Sequence, residues 1–220
     1  MANFSEEINT FNFVANVEHA NLNALNFIKK DHISIFNGKV DMNMKGTSLD
    51  DAVGNIQFNK TVYKNQNDSY FFDDFAITSS ITNKVRHIAV NSQDIIKGKL
   101  SGKFKFNQLR KLVENALGSM YANYKPHQVE PNQYIDFNFN IYNKIIEVFV
   151  PELSLGKNTY VRGRVESKEE EFKLTFKSPE IKLLDYFADK VELQLDNKNP
   201  LFNAYVEIDS LNTKYYNVSK

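Results

Sequence analysis

The stretch Lys97–Phe106 alternates without a fault. Lys97, Lys99, Ser101, Lys103 and Lys105 fall on one parity, and Gly98, Leu100, Gly102, Phe104 and Phe106 on the other. Successive side chains of a β-strand point to opposite faces, so a strand here has one wet face and one apolar face. A helix does not fit, because its apolar positions recur every three or four residues. The same period returns along most of the chain. Phe11, Phe13, Ala15 and Val17 alternate, with Val14 breaking the polar parity. Val40, Met42 and Met44 alternate with Lys39, Asp41, Asn43 and Lys45, and Ile56 and Phe58 with Gln57 and Asn59. Ile135, Phe137, Phe139 and Ile141 alternate with Asp136, Asn138 and Asn140. Phe172, Leu174 and Phe176, then Val191, Leu193 and Leu195, then Phe202, Ala204, Val206 and Ile208 repeat the pattern. Turn-forming runs such as Asn37-Gly38, Asn65-Gln66-Asn67-Asp68, Lys168-Glu169-Glu170 and Asn197-Lys198-Asn199-Pro200 separate the strands. Buried parallel strands would read as continuous apolar runs, so the expected class is mainly β and antiparallel, with one solvated side.

One segment departs from period two. In Asn107–Tyr121, the residues Leu109, Leu112, Val113, Ala116, Leu117, Met120 and Tyr121 follow helical spacing. The reading is one amphipathic helix near 107–121 of about four turns, with Asn107 as N-cap and Pro126 beyond its end. It is expected to close one face or end of the sheet, or to sit in its groove as a gate. Tyr124–Asn132, with Pro126 and Pro131, is the candidate boundary between a first section, 1–125, and a second, 126–220, continuous with it. Leu22–Lys30 and Asn143–Phe149 are read as short helical or irregular pieces. Tyr70-Phe71-Phe72-Asp73-Asp74-Phe75-Ala76-Ile77 also echoes Tyr186-Phe187-Ala188-Asp189-Lys190-Val191-Glu192-Leu193, which suggests stacked repeats.

Sites of chemistry are not apparent. His19, His32, His87 and His127 are scattered without partners at ligand spacing, and no metal motif occurs. His87 reads as an outward strand residue and His127 as exposed loop. There is no nucleophile elbow and no phosphate-cradling glycine loop. Asp50-Asp51 and Asp73-Asp74 read as turn formers, and Asp41-x-Asn43 lacks the glycine and distal glutamate of a calcium loop. No catalytic residue, metal or cofactor is therefore expected. With 27 basic and 27 acidic side chains and no basic cluster, neither nucleic-acid binding nor docking on membranes by charge alone is indicated. No apolar run reaches the roughly 18 residues of a membrane-spanning helix. Met1-Ala2-Asn3-Phe4 has neither the basic nor the apolar stretch of a secretion signal, so the chain reads as cytosolic or as an internal section of a longer protein. The 28 asparagines and the excess of lysine over arginine look first like a coding bias.

What stands out is the apolar parity, rich in Phe and Met. It fits two architectures. One is a sandwich core of two sheets about 10 Å apart. The other is a single long sheet bent into a trough, like a β-taco, with an apolar interior for acyl chains. The lining would be Val40, Met42, Met44, Ile56, Phe58, Phe75, Ile77, Ile88, Val90, Leu100, Phe104, Phe106, Ile135, Phe137, Phe139, Phe172, Leu174, Phe176, Val191, Leu193 and Leu195. Each CH2 of a guest buried there would gain roughly 0.8 kcal/mol. Some 13–15 strands at about 4.8 Å would make a rod of about 65 Å.

Gly46-Thr47-Ser48-Leu49-Asp50-Asp51-Ala52-Val53-Gly54-Asn55-Ile56 leads to Val62-Tyr63-Lys64-Asn65, then to Tyr70–Ser79, then to Ile88–Phe104, the helix and Tyr124-Lys125-Pro126. This order resembles the central region of the TamB family, translocation-and-assembly-module subunits of the AsmA-like superfamily, in its Bacteroidetes form. The later strands, through Ser178-Pro179-Glu180-Ile181 and Ile208-Asp209-Ser210-Leu211, are similar in kind. The resemblance implies a periplasmic, cell-envelope protein with a long curved sheet that conducts phospholipids between inner and outer membranes. It also implies an inner-membrane anchor and an end that meets an outer-membrane barrel of the TamA type, both absent from this sequence. A scaffold for outer-membrane protein or autotransporter assembly is the alternative, and a non-enzymatic sandwich-type binding module a third.

Overall fold

The computed structural model describes residues 2–3, 9–119, 123–167, 171–197 and 203–219. In chain order its strands are β1 (Ala2–Asn3), β2 (Thr10–Asn21), β3 (Ser34–Lys45), β4 (Val53–Asn65), β5 (Ser69–Phe72), β6 (Phe75–Thr82), β7 (Val85–Asn91) and β8 (Ile96–Lys103). Then follow a 3-10 turn at Phe106–Gln108, helix α1 (Leu109–Gly118), β9 (Tyr134–Ile141) and helix α2 (Asn143–Phe149). The rest is β10 (Leu153–Leu155), β11 (Tyr160–Glu166), β12 (Phe172–Leu183), β13 (Tyr186–Asp196), β14 (Asn203–Glu207), β15 (Ser210–Asn212) and β16 (Asn217–Ser219).

These strands form one sheet in the order β1-β2-β3-β4-β6-β7-β8-β9-β11-β12-β13-β15-β16, with β5 added on β4, β10 on β12 and β14 on β13. All the pairings are antiparallel. The fold is mainly β, an open curved antiparallel sheet. Among the described residues the strands make a single layer, so the sandwich that the periodicity also permitted is not what they build. Local chemistry sets the hairpins. Asn83 and Lys84, both left-handed at φ 52° and 63°, form the two-residue link of β6 to β7, the geometry that matches strand twist.

Interruptions of the ladders fall on one line across the sheet. The β2–β3 register breaks after Val17–Gly38, and the β3–β4 register shifts between Asn37 and Lys39. Opposite, Lys60 is left-handed at φ 50° and donates its N–H to Asp74, in the gap between β5 and β6. Asp73 in that gap donates its N–H to Asp94, between β7 and β8. Beside it the Tyr142 N–H bonds the Ile95 carbonyl, and the Ile141 N–H bonds that of Thr159. The Thr159 hydroxyl lies 2.7 Å from that of Ser178 in β12. The β12–β13 ladder then skips Pro179 and Lys190, the latter at φ 48°. Irregularities of this kind bend the strand that carries them. Stacked strand on strand, they give the sheet a common line of bending. Buried hydroxyls lie on that line: Ser92 accepts the Ile95 N–H, and Thr159 and Ser178 donate to the carbonyls of Gly156 and Glu180.

The structure corrects several expectations. The helix begins later than read, at Leu109, because Asn107 is inside the 3-10 turn; Gln108 holds the N-cap position without a side-chain cap bond. Met120 and Tyr121 lie outside the described residues, as do Phe202, the Lys168–Glu170 turn and Lys198–Pro200. β8 ends at Lys103, so Phe104 and Phe106 leave the strand. The reason is side-chain competition: Gln133 Oε1 takes the Lys105 N–H at 2.7 Å, and Asp50 Oδ1 takes the Phe106 N–H at 2.8 Å. The echo is no structural repeat. Its first copy is two strands parted by Asp73-Asp74, and its second lies within β13. Asn143–Phe149 is a helix, whereas 22–30 is made of turns. The 123–133 segment is laid on α1: Asn115 donates its amide to the His127 carbonyl and accepts the His127 N–H and the Tyr124 hydroxyl. The β8–β9 ladder runs unbroken from Ile96–Ile141 to Lys103–Tyr134.

Candidate functional site, an apolar groove

Register turns the strand parities into rows that cross the sheet. One row reads Phe13, Met42, Ile56, Ile77, Val90, Gly98, Phe139, Val161, Phe176, Leu193 and Val206. The next reads Phe11, Met44, Gly54, Ser79, Ile88, Leu100, Phe137, Gly163, Leu174, Leu195 and Ala204. Beside them run two shorter rows, Ala15–Val40–Phe58–Phe75 and Arg86–Gly102–Ile135–Val165–Phe172. Eleven strands at about 4.8 Å give the long rows a length of about 48 Å. The opposite face carries Asn12, Asn43, Asn55, Thr78, Ala89, Lys99, Asn138, Arg162, Thr175, Gln194 and Tyr205 in one continuous row. The abundant asparagines thus solvate the outer face.

The expected lining residues share this inner face, except Phe104 and Phe106, which have left the strand. Val191 extends the β13 parity and pairs with Ser178. Three lining residues are buried, Phe104, Ile135 and Phe172. They pack with Leu112 and Ala116 of α1 and with Val165 of β11. The remaining eighteen are half-buried, Phe106 in the 3-10 turn and the other seventeen on a single-layer sheet. The helix therefore covers the lowest row beside β8–β12, and the adjoining residues Ile88, Leu100, Phe137, Leu174 and Leu195 of the second long row pack against the same cluster. Its inward Leu112 alone contributes roughly 1.5–3 kcal/mol of apolar burial.

Glycines shape the floor. A Cβ on Gly163 would fall 2.7 Å from Phe137 Cζ, and one on Gly98 would fall 2.8 Å from Phe139 Cδ1. Each of these Phe rings therefore lies over a bare stretch of the neighbouring strand. Phe58 stacks on Phe75 with ring centres 4.5 Å apart, and Phe36 meets Phe58 edge-on at 6.3 Å.

Sequence reasoning missed several members. Val161, Gly163 and Val165 belong to β11, whose alternation with Tyr160, Arg162, Arg164 and Glu166 was there to be read. Arg86 sits on the apolar parity of β7, yet is only 4% exposed. Its guanidinium donates to the Ala52 carbonyl at 2.8 Å, the Ser79 hydroxyl at 3.0 Å and the Asp50 carbonyl, and lies 5.3 Å over the Phe106 ring. Burial pulls its pKa down. Asp50 also holds the Phe106 N–H, so Arg86 pins the 46–52 turn and the approach to α1 to the groove wall. A second buried cluster lies beyond the bending line. The Tyr63 hydroxyl donates to Asp31 at 2.6 Å and touches the Ser34 hydroxyl at 3.1 Å. Burial, then the bond to Asp31, pushes Tyr63 up to about 12.

The carboxylates act as turn formers. The Asp51 carboxylate accepts the N–H and hydroxyl groups of Thr47 and Ser48, which hold it far below the usual carboxylate range. His87 is exposed on the outer face, and His127 is an exposed loop residue with Nε2 3.2 Å from Glu114. Among the described residues no three His, Cys, Asp or Glu side chains come together to hold a metal, and no helix is long and apolar enough to cross a membrane. The arrangement can take up long apolar chains by length and apolarity, with few groups that read a head group. Compared with protein-family models, curated proteins and solved structures, the chain matches none of them.

Proposed function

We propose that this chain is a non-enzymatic section of a cell-envelope bridge resembling TamB, which carries phospholipid acyl chains along its apolar groove between inner and outer membranes. The observation that supports this most is the pair of rows over eleven strands, apolar but for Ser79 and mostly half-buried. An ordinary monomer tolerates exposed apolar patches of a few hundred Å2. A surface of this length serves a guest. The periplasm is the compartment this reading requires. The inner membrane and an outer-membrane barrel of the TamA type would be reached through parts outside this sequence.

Site-specific photo-crosslinking tests it. Probes at Phe137 and Phe139, facing inward, are expected to capture phospholipid in cells, and probes at Asp136 and Asn138, facing outward, are not. Equal capture from both parities overturns the reading. Assembly scaffolding is a second reading, favoured by the openness of the sheet. The end strands of an open sheet invite strand addition by another chain. Binding of unfolded barrel proteins without lipid would support that role.

A further inference from the structure

Three of the exposed phenylalanines, Phe27, Phe71 and Phe149, gather on the rim beyond the bending line. The turn 22–33 joins β2 to β3 and is fixed at its base. Asn21 Oδ1 accepts the N–H groups of Asn23 and Ala24, and the Leu22 carbonyl accepts those of Phe27 and Ile28. This scaffold holds Leu25 and Ile33 exposed and Phe27 76% exposed. Lys30 Nζ donates to the Phe149 carbonyl at 2.7 Å, which places Phe149 and Val150, both exposed, on the same rim. Lys144 of α2 donates to the Phe71 carbonyl at 2.8 Å, and Phe71 is 68% exposed.

Charge on the turn is one-sided. Its only acid, Asp31, is 7% exposed and is held inward by Tyr63 and Gln66. Lys29, Lys30 and His32 remain exposed. On α2, the Glu147 carboxylate is engaged by the Asn143 amide. The apolar knobs come from three separate segments; the 22–33 turn sets Lys29, Lys30 and His32 beside them and withdraws its own acid, while Asp68, Glu147 and Glu152 stay exposed nearby. Separate knobs of this kind suit a fluid surface better than a flat protein partner. The knobs enter the acyl boundary while the cations stay at head-group level.

We propose that this rim docks on an anionic phospholipid bilayer, with Leu25, Phe27, Ile33, Phe71, Phe149 and Val150 entering the interface and Lys29 and Lys30 meeting head-group phosphates. The apolar tips drive the contact, consistent with a chain of zero net charge. The inference stands on the rim and not on an occupied groove.

The chain has no Trp, so Phe27→Trp makes a sole emission reporter. With vesicles of phosphatidylcholine and phosphatidylglycerol, its emission is expected to shift blue and to be quenched by brominated acyl chains. Flotation of the full chain with these vesicles is expected to fall about tenfold in Leu25→Ser/Phe27→Ser, and several-fold in Lys29→Ser/Lys30→Ser. Leu49→Ser, on the opposite rim, floats like the unaltered chain. An unshifted Phe27→Trp spectrum, or equal loss in Leu49→Ser, overturns the proposal. So does a drop in oligomeric state in the rim variants, which would mark an interface between copies. Should the double serine variant unfold, the Phe27→Trp spectrum decides alone. Lipid co-purified in the groove separates the two readings: rim variants keep it while losing flotation. Its absence from a chain that still floats would remove the groove reading alone.

Discussion

Gly163 faces Phe137 across the β9–β11 ladder, and a methyl group on Gly163 would fall 2.7 Å from the Phe137 ring and against the Lys173 carbonyl. The ring occupies space that a side chain on Gly163 would need. Gly163→Val is expected to lift Phe137 into the groove and to cost about 1–3 kcal/mol through overpacking. Urea denaturation would show the loss, and the lipid-to-protein ratio of purified protein should fall with it.

Val90 and Ala89 are adjacent in β7 but belong to opposite faces. Val90→Glu places a carboxylate in the middle of the longest apolar row, whereas Ala89→Glu places one beside Lys99 on the wet face. Phospholipid recovered with Val90→Glu should drop several-fold by mass spectrometry, with Ala89→Glu unchanged.

Removing Arg86 leaves the Asp50 carbonyl without its donor. In Arg86→Met the Ala52 carbonyl keeps the Ser79 hydroxyl as donor at 2.8 Å, while both lose the guanidinium they share. Each buried unsatisfied group costs about 1–3 kcal/mol. The midpoint of chemical denaturation should fall accordingly, and Arg86→Lys should not restore it, because an ammonium lacks the planar fork. A midpoint unchanged in Arg86→Met would mean that the 46–52 turn holds without this contact.

Asp51 makes the protein sensitive to acid. Its folded pKa lies well below the ordinary value near 3.9. Its contribution is therefore whole above the unfolded pKa and declines as pH falls below it, where the unfolded chain takes up the proton first. Asp51→Asn should lower stability at neutral pH and flatten its decline below about pH 4.

Tyr63 produces the opposite dependence at alkaline pH. Its folded pKa is raised to about 12, against an ordinary value of 10. The contribution is whole below the unfolded pKa and is lost as pH rises from about 10 through 12. In a spectrophotometric titration of phenolate, Tyr63→Phe should remove a component that ionises near pH 12. It should also weaken the alkaline loss of stability.

Much of the sheet was legible from spacing alone. Lys97–Lys103 reads as a strand because every residue obeys its parity, and the register then extends that parity from β2 to β14. The spacing failed where a side chain from elsewhere competes for the backbone. Gln133 and Asp50 take the N–H groups of Lys105 and Phe106, 28 and 56 residues away, and end β8 before its alternation ends. Such acceptors leave no trace near the strand they terminate. Strand β11 went unread although Val161, Gly163 and Val165 alternate with Arg162 and Arg164. Arg86 contradicted its strand's apolar face, and that contradiction was itself the available signal.

Strand, parity and antiparallel class follow from the chain's own order of residues, because the pleat assigns each side chain a face within two residues. The number of layers does not follow, since an apolar face looks the same whether a second sheet or a guest covers it. Neither does the line of bending. It needs a left-handed Lys60, a gap at Asp73-Asp74 and the Thr159–Ser178 hydroxyl contact to fall level with one another. That levelling is a property of long-range register, which places side by side residues that the chain keeps far apart.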